Sequence, residues 1–195
     1  MDARPFGSER TADVADDDRL VERARAGDTA AFGELVTRHR HVAARVAAVV
    51  APPAELDDVL QEACVKAWHA LPRFRQGAPF RPWWCQIVAN EAKNRTRAAR
   101  RRETLHLRSA TGTPERDDRT PEASVLAREE ADALVRALDR LPDDDRLVIA
   151  YRWLLELPLA EIADAIGVPV GTVKSRLSRA MTKLRTELAA DGRTG

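Results

Sequence analysis

The chain has 195 residues, with 32 Lys and Arg against 31 Asp and Glu, a formal net charge of +1, and 5% aromatic residues. That length supports one medium domain or two small ones with compact cores. A net charge so close to zero excludes a uniformly basic or acidic chain, but the charge is unevenly spread: acids crowd the first 20 positions and Asp143 to Asp145, bases crowd Lys93 to Arg102 and Lys174 to Arg185, and such local fields govern the approach of a polyanion.

No segment alternates β-branched residues as a strand does, so the expected fold is all-α: two small helical domains joined by a flexible linker. Residues 1–16 are polar, carry Pro5, Gly7 and an acidic run, and read as a disordered arm. A short helix from Arg19 to Ala26 should end at Gly27, with Asp28 placed to cap the next. That next helix carries Phe32, Leu35, Val36, His39, Val42, Val46 and Val49 as one apolar stripe, and Pro52-Pro53 stops it. A third helix, Ala54 to Leu71, sets Leu56, Val59, Leu60, Ala63 and Ala67 on one side and Asp57, Asp58, Gln61, Glu62 and Lys66 away from them. After Pro72 and the loop Arg73 to Ala78, residues Pro79 to Glu103 read as a long helix that begins aromatic and finishes basic, completing a first domain over 17–104.

Residues 105–122, with Gly112, Pro114 and Pro121 and no sustained apolar period, read as the linker. A second domain is expected over 123–189, with Leu126, Leu134 and Leu138 before Pro142, a helix from Arg146 to Leu157, a third between Pro158 and Gly167, and a fourth from Val170 to Ala189; residues 190–195 form a tail.

Within it, Leu159 to Leu177 carries a helix-turn-helix signal. Leu159, Ile162, Ala163 and Ile166 pack one helix, Gly167 permits the turn, and small Ala163 lets the second helix approach. In the second helix Val173, Leu177, Ala180 and Leu184 form the buried stripe, while Thr172, Ser175, Arg176, Arg179 and Lys183 share the other side, with no acid between Ala165 and Thr186. A helix entering the DNA major groove needs short hydroxyls near its start and arginines that grip guanine bidentately. A solvated basic face on an ordinary helical hairpin is the plainer reading, and the agreement of turn, small residue, stripe and acid-free face weighs against it.

The long helix gives a second signal. Phe80, Trp83 and Trp84 at its start precede Asn90, Lys93, Asn94, Arg95 and Arg97, an arrangement suited to unpaired bases that stack on rings while the backbone is held electrostatically. Trp84 reads as core, whereas asparagine amides on a basic helix can read base edges.

The run Gly27 to His39, the run Asp57-Asp58-Val-Leu-Gln61-Glu62-Ala-Cys-Val-Lys66-Ala-Trp68, and Phe74 to Trp83 together resemble the region-2 domain of extracytoplasmic-function (ECF) sigma factors. Leu141-Pro142 through Leu184-Arg185, including Gly171-Thr-Val-Lys-Ser-Arg-Leu-Ser-Arg179-Ala180, resembles their region 4. The resemblance implies a promoter-directing subunit that binds core RNA polymerase and opens DNA, without catalysis of its own. It also implies, residue by residue, that Asp57, Asp58, Gln61, Glu62 and Lys66 dock on the clamp helices of the largest polymerase subunit. Arg73, Phe74, Arg75 and Gln76 would lie in the loop that takes a base flipped from the minus-ten element; Trp83, Asn90, Lys93, Asn94 and Arg97 would serve that element's opened strand; and Thr172, Lys174, Ser175, Arg176, Arg179 and Lys183 would read the minus-thirty-five duplex. Region 4 on the flap of the second-largest subunit and an anti-sigma factor are further implied partners. Trp83-Trp84 and Pro169 depart from the family's usual Trp-Leu and Ser, and Pro169 leaves the recognition helix to start on a proline's fixed φ.

An ordinary helix-turn-helix regulator would explain Pro158 to Leu184 but not the Asp57 to Trp68 face. For an enzyme, the Asp57-Asp58 and Asp143 to Asp145 clusters lack a partnered His or Lys at site spacing; the three aspartates read as a helix start favoured by the macrodipole. No metal or cofactor site is expected: Cys64 and Cys85 lack CxxC spacing, and His39, His41, His69 and His106 are scattered. With no apolar leader, and with Val42 to Ala54 too short and interrupted to span a bilayer, the expectation is a soluble cytoplasmic protein without membrane insertion or a small-molecule substrate.

Overall fold

A computed structural model describes residues 8–75, 77–106 and 133–191. No strand occurs among them, and no helix among them is long and apolar enough to cross a membrane.

Helix α1 spans Ser8–Arg25. It therefore begins inside the stretch expected to be a disordered arm. Part of the reason lies in the acids themselves. Asp17 is buried at 6% exposure, with His39 Nε2 2.7 Å from one carboxylate oxygen and Arg38 donating to the other at 2.9 Å, while Arg38 also holds Asp16 at 2.6 Å. Asp16 and Asp17 thus form a seam to the following helix rather than part of a solvated tail.

Gly27, at φ 98, supplies the left-handed turn that α1 needs to end. Asp28 then caps α2 (Thr29–Ala48): the Ala30 and Ala31 N–H groups both donate to it at 3.0 Å. The Ala31 N–H and the Arg23 guanidinium hold its carboxyl below the ordinary 3.8. After a short 3₁₀ turn at Pro53–Glu55 comes α3 (Leu56–Ala70), and after another at Leu71–Arg73 comes α4 (Phe80–His106). Helix α4 packs on both α2 and α3. Ala63, Ala67, Ala89 and Ala92 are at most 1% exposed, so small side chains let these helices close up around Leu35, Val46, Val59, Trp84 and Val88. Such packing fills the interior to crystal-like density.

The second half holds α5, whose described part is residues 133–139, then α6 (Asp143–Trp153), α7 (Leu159–Ile166) and α8 (Val170–Asp191). Gly167, at φ 69, ends α7, and Val173 and Ala180, both at 0% exposure, seat α8 against α6 and α7. The expected linker lies outside the described residues apart from residues 105 and 106, which continue α4; so do Leu126 and residues 192–195.

The expectation of two separate cores meets a different arrangement. Helix α4 contacts α7, α2 contacts α6, and the buried residues of both halves form one continuous cluster. Arg81 donates to the Leu155 carbonyl at 2.8 Å across this junction.

Candidate nucleic-acid and protein interfaces

On α3 the 3.6-residue period buries Val59, Leu60, Ala63 and Ala67 and leaves Asp57, Asp58, Gln61, Glu62 and Lys66 exposed. The charges are not isolated. Arg40 holds Asp57 at 2.8 Å, Arg95 holds Asp58 at 3.0 Å, and Lys66 lies 3.6 Å from Glu62. Lys66 also bonds Glu91 on α4, which raises its pKa, and Glu91 is itself 5% exposed and 3.7 Å from Arg95. Glu91 was missed in the sequence; its one signal was an acid four residues before Arg95 on a mainly basic helix. It fixes the α3 face to α4 by charge. The pairs at the surface, Arg40 with Asp57, Arg95 with Asp58 and Lys66 with Glu62, contribute little stability and leave a surface able to exchange partners.

The start of α4 sorts its aromatics unequally. Phe74, expected in a DNA-facing loop, is a core residue at 5% exposure, 4.8 Å from the ring of Trp83 and 6.2 Å from Phe80. The correction has a simple cause: three aromatic rings close in sequence bury more area together than one can in a loop. Arg73 and Arg75 remain exposed, and Gln76 lies outside the described residues. Trp83 is half-buried with one side on Phe74 and Phe80, and Trp84 is fully buried with its indole N–H unpartnered. Further along, Asn90, Asn94 and Arg97 are exposed, whereas Lys93 is half-buried against Asp144.

On α8, Lys174, Ser175, Arg179 and Lys183 are exposed and Thr172 and Arg176 half-buried, opposite Val173, Ala180 and Leu184. The Ser175 hydroxyl turns back to the Thr172 carbonyl at 2.9 Å, and Lys183 donates to the Arg140 carbonyl at 2.6 Å. Arg176 lies 3.2 Å from Asp144. Helix α6 does begin at Asp143, with acids over its first turn. Asp143 holds the buried Arg146, while Asp144 meets Arg176 of α8 within its own half and reaches across to Lys93 of α4. The Lys93 ammonium first, then Arg176 and Arg97, hold the Asp144 carboxyl below its usual value. Nothing in the sequence marked this residue beyond its place in an acidic triplet.

The structure thus brings Asn90 and Lys93 of the α4 track to Arg176 of the helix-turn-helix, around a small cavity of about 120 Å³ that Leu147, Tyr151 and Val168 also line. No group of three or more metal-ligating side chains occurs among the described residues. Buried Cys85 has its thiol pushed up to about 12 by desolvation, which makes it a poor nucleophile.

Residues 35–102 match the Sigma-70 region 2 family and residues 137–186 match Sigma-70, region 4. The ECF RNA polymerase sigma-E factor of Escherichia coli is 37% identical over 171 residues, covering 84% of this chain and 90% of that protein. Among solved structures, CnrH in complex with the cytosolic domain of CnrY superposes with a TM-score of 0.64 at 30% identity, covering 90% of this chain and 99% of that one. The sigma factor RpoE of Bartonella quintana, solved with the anti-sigma factor NepR, shares the fold with a TM-score of 0.62 at 24% identity, covering 82% of this chain and 96% of that one.

Proposed function

The chain belongs to the ECF family of RNA polymerase sigma factors, and from that premise we propose how its surfaces divide the work. As a sigma factor it binds core RNA polymerase, directs it to specific promoters and promotes DNA opening. The α3 face, Asp57, Asp58, Gln61, Glu62 and Lys66, is the dock for the clamp helices of the largest subunit. Its support is an exposed, mainly acidic strip whose surface ion pairs, Arg40 with Asp57 and Arg95 with Asp58, are weak enough to be traded for intermolecular ones.

Asn90, Asn94 and Arg97 on α4, with Lys93 and the ring of Trp83, hold the opened minus-ten strand, and Arg73, Arg75 and Gln76 lie on the loop that takes the flipped base. Phe74 serves that loop from beneath, as its packing. Thr172, Lys174, Ser175, Arg176, Arg179 and Lys183 meet the minus-thirty-five duplex. Region 4 also engages the flap of the second-largest subunit, and an anti-sigma factor holds the chain inactive until it is released. Melting draws on binding free energy, so the chain itself hydrolyses nothing, and its work is done in the cytoplasm where polymerase and DNA are.

The single observation that carries this reading is the pairing of two nucleic-acid faces of different chemistry in one chain, an asparagine-rich basic track and an acid-free recognition helix. A regulator that never touches polymerase would have no use for the first. The test is a pull-down of core polymerase with Asp58→Lys and Glu62→Lys together, followed by run-off transcription on a genomic promoter library. Both side chains are exposed, so helicity should be retained while core binding and run-off product fall at least about tenfold, the scale of lost electrostatic complementarity. Undiminished core binding by the folded variant would remove α3 from the interface.

A further inference from the structure

None of the surfaces proposed above uses α1, yet this helix is seated against the elements that carry the minus-ten site. It touches α4 and the 3₁₀ turn Leu71–Arg73. Near its C-terminal end Arg25 donates to the Pro72 carbonyl at 3.3 Å, one residue before the loop that starts at Arg73. In its middle Asp17 is buried against α2, with Arg38 donating to one carboxylate oxygen at 2.9 Å and His39 Nε2 at 2.7 Å from the other.

His39 faces two ways. Its Nε2 meets Asp17, and its ring lies 5.8 Å from that of Phe80, tilted by 39°. Phe80 is in turn 5.4 Å from Trp83 and 6.2 Å from Phe74, and Phe74 is 4.8 Å from Trp83. Rings thus run without a break from a buried carboxylate on α1 to the half-buried indole at the start of α4. His39 stands in the apolar stripe of α2, where an aliphatic side chain would need no partner; a buried polar ring costs free energy unless it is bonded. The bond to Asp17 meets that cost and also fixes the plane in which the imidazole lies against Phe80. Close-packed rings have few alternative arrangements, so a displacement at one is felt at the next.

Given the assignment of Trp83 and the Arg73–Gln76 loop to the opened strand, on which this rests, we propose that Asp17 and His39 are positioning residues of the minus-ten site: Asp17 holds the His39 ring, His39 holds Phe80, and Phe80 sets the plane and depth of the Trp83 ring. Neither residue touches DNA. A ring that is free to turn must be ordered when a base stacks on it, and that ordering is subtracted from the affinity. A ring already held when the strand arrives escapes the cost. Loss of the seam should therefore leave Trp83 present but loose, so that strand binding suffers while the recognition helix in the other half keeps its grip on duplex.

The test uses the full chain bound to core polymerase and two probes selected by the wild-type complex, a single strand from one random pool and an upstream duplex from another. 2-Aminopurine placed at each position of the strand in turn reports, by a change in its fluorescence, where a base leaves its neighbours. Trp83→Ala should weaken strand binding at least about fivefold, as the loss of a stacking ring does. Wild-type strand binding by this variant would remove the indole from the site, and the positioning role with it. Asp17→Ala should weaken strand binding at least about threefold, the scale of ordering one side chain, and diminish the fluorescence change, with core and duplex binding kept. His39→Gln retains a group that can bond Asp17 but takes the ring away from Phe80, and should show the same loss with α1 still docked. Should Asp17→Ala fail to bind core, His39→Gln decides alone. Wild-type strand binding and fluorescence in His39→Gln, with Trp83→Ala impaired, would overturn the positioning role and leave the minus-ten assignment standing. Equal losses on strand and duplex would mean a general loosening of the fold and would overturn it as well.

Discussion

Arg176 and Lys183 are two turns apart on α8, yet their surroundings differ in kind. Arg176 is half-buried beside the first turn of α6 and bonded to a carboxylate, whereas Lys183 is exposed and bonded to a main-chain carbonyl. The planar guanidinium can grip a guanine edge through two parallel bonds; the lysine acts as a point charge. Arg176→Ala should therefore cost about 1–3 kcal/mol at the preferred upstream element and relax base preference at one position. Lys183→Ala should weaken all sequences alike and lower the salt slope by about one unit. Because Arg176→Ala also breaks the bond to Asp144 of α6, its absolute affinity mixes two effects. Base preference, measured by selection from a randomised duplex, isolates the contact. If the preference profile of Arg176→Ala matches wild type, Arg176 is a phosphate clamp.

At the scale of the element, α3 and α8 were legible because a 3.6-residue period separates what is buried from what is not, and both helices carry few exceptions to it. Their ends were legible too: Gly27 and Gly167 take the positive φ that a helix terminus needs, and Asp28 caps as its position suggested. Helix α4 was less so. Its first turn is aromatic on more than one side; Trp84 went fully inside, as read, while Phe74, expected to face DNA, turned in to pack on Phe80 and Trp83. The start of α1 escaped because the partners of Asp16 and Asp17 lie 22 and 21 or 22 residues away on α2. On α4 the exposed pair Asn90 and Asn94 is four residues apart and so shares a face. Replacing both by alanine should lower run-off transcription from duplex promoters and weaken binding to single-stranded minus-ten DNA, with upstream-duplex binding by the same full-length variant unchanged. The change is favourable for helix propensity, so lost activity could not be charged to unfolding. Equal losses in the two binding assays would make α4 a general basic surface.

For the whole molecule, the sequence showed two helical units but not how they meet. The contacts that join them span 51 residues between Lys93 and Asp144 and 74 between Arg81 and Leu155. Leu147, Tyr151 and Leu155, which line or approach the junction, have the same apolar character as residues that pack only within their own unit, so periodicity cannot tell one burial from the other. The consequence is thermodynamic. Two domains with separate cores on a linker unfold independently, whereas domains sharing a continuous buried cluster unfold together as long as the junction outweighs the difference in their stabilities. Calorimetry of the full chain should accordingly show one transition whose van't Hoff and calorimetric enthalpies agree. Arg81→Ala removes the donor that satisfies the Leu155 carbonyl and leaves that acceptor underused at the junction, a loss of about 1–3 kcal/mol. Arg81 belongs to none of the assigned binding surfaces, so core binding should persist. The variant's transition should split, with region 4 melting first and region 2 keeping its midpoint. Two resolved transitions in the wild-type chain would mean that the junction is too weak to couple the domains, and a single transition in Arg81→Ala at an unchanged midpoint would mean that the guanidinium bond contributes nothing to holding them together.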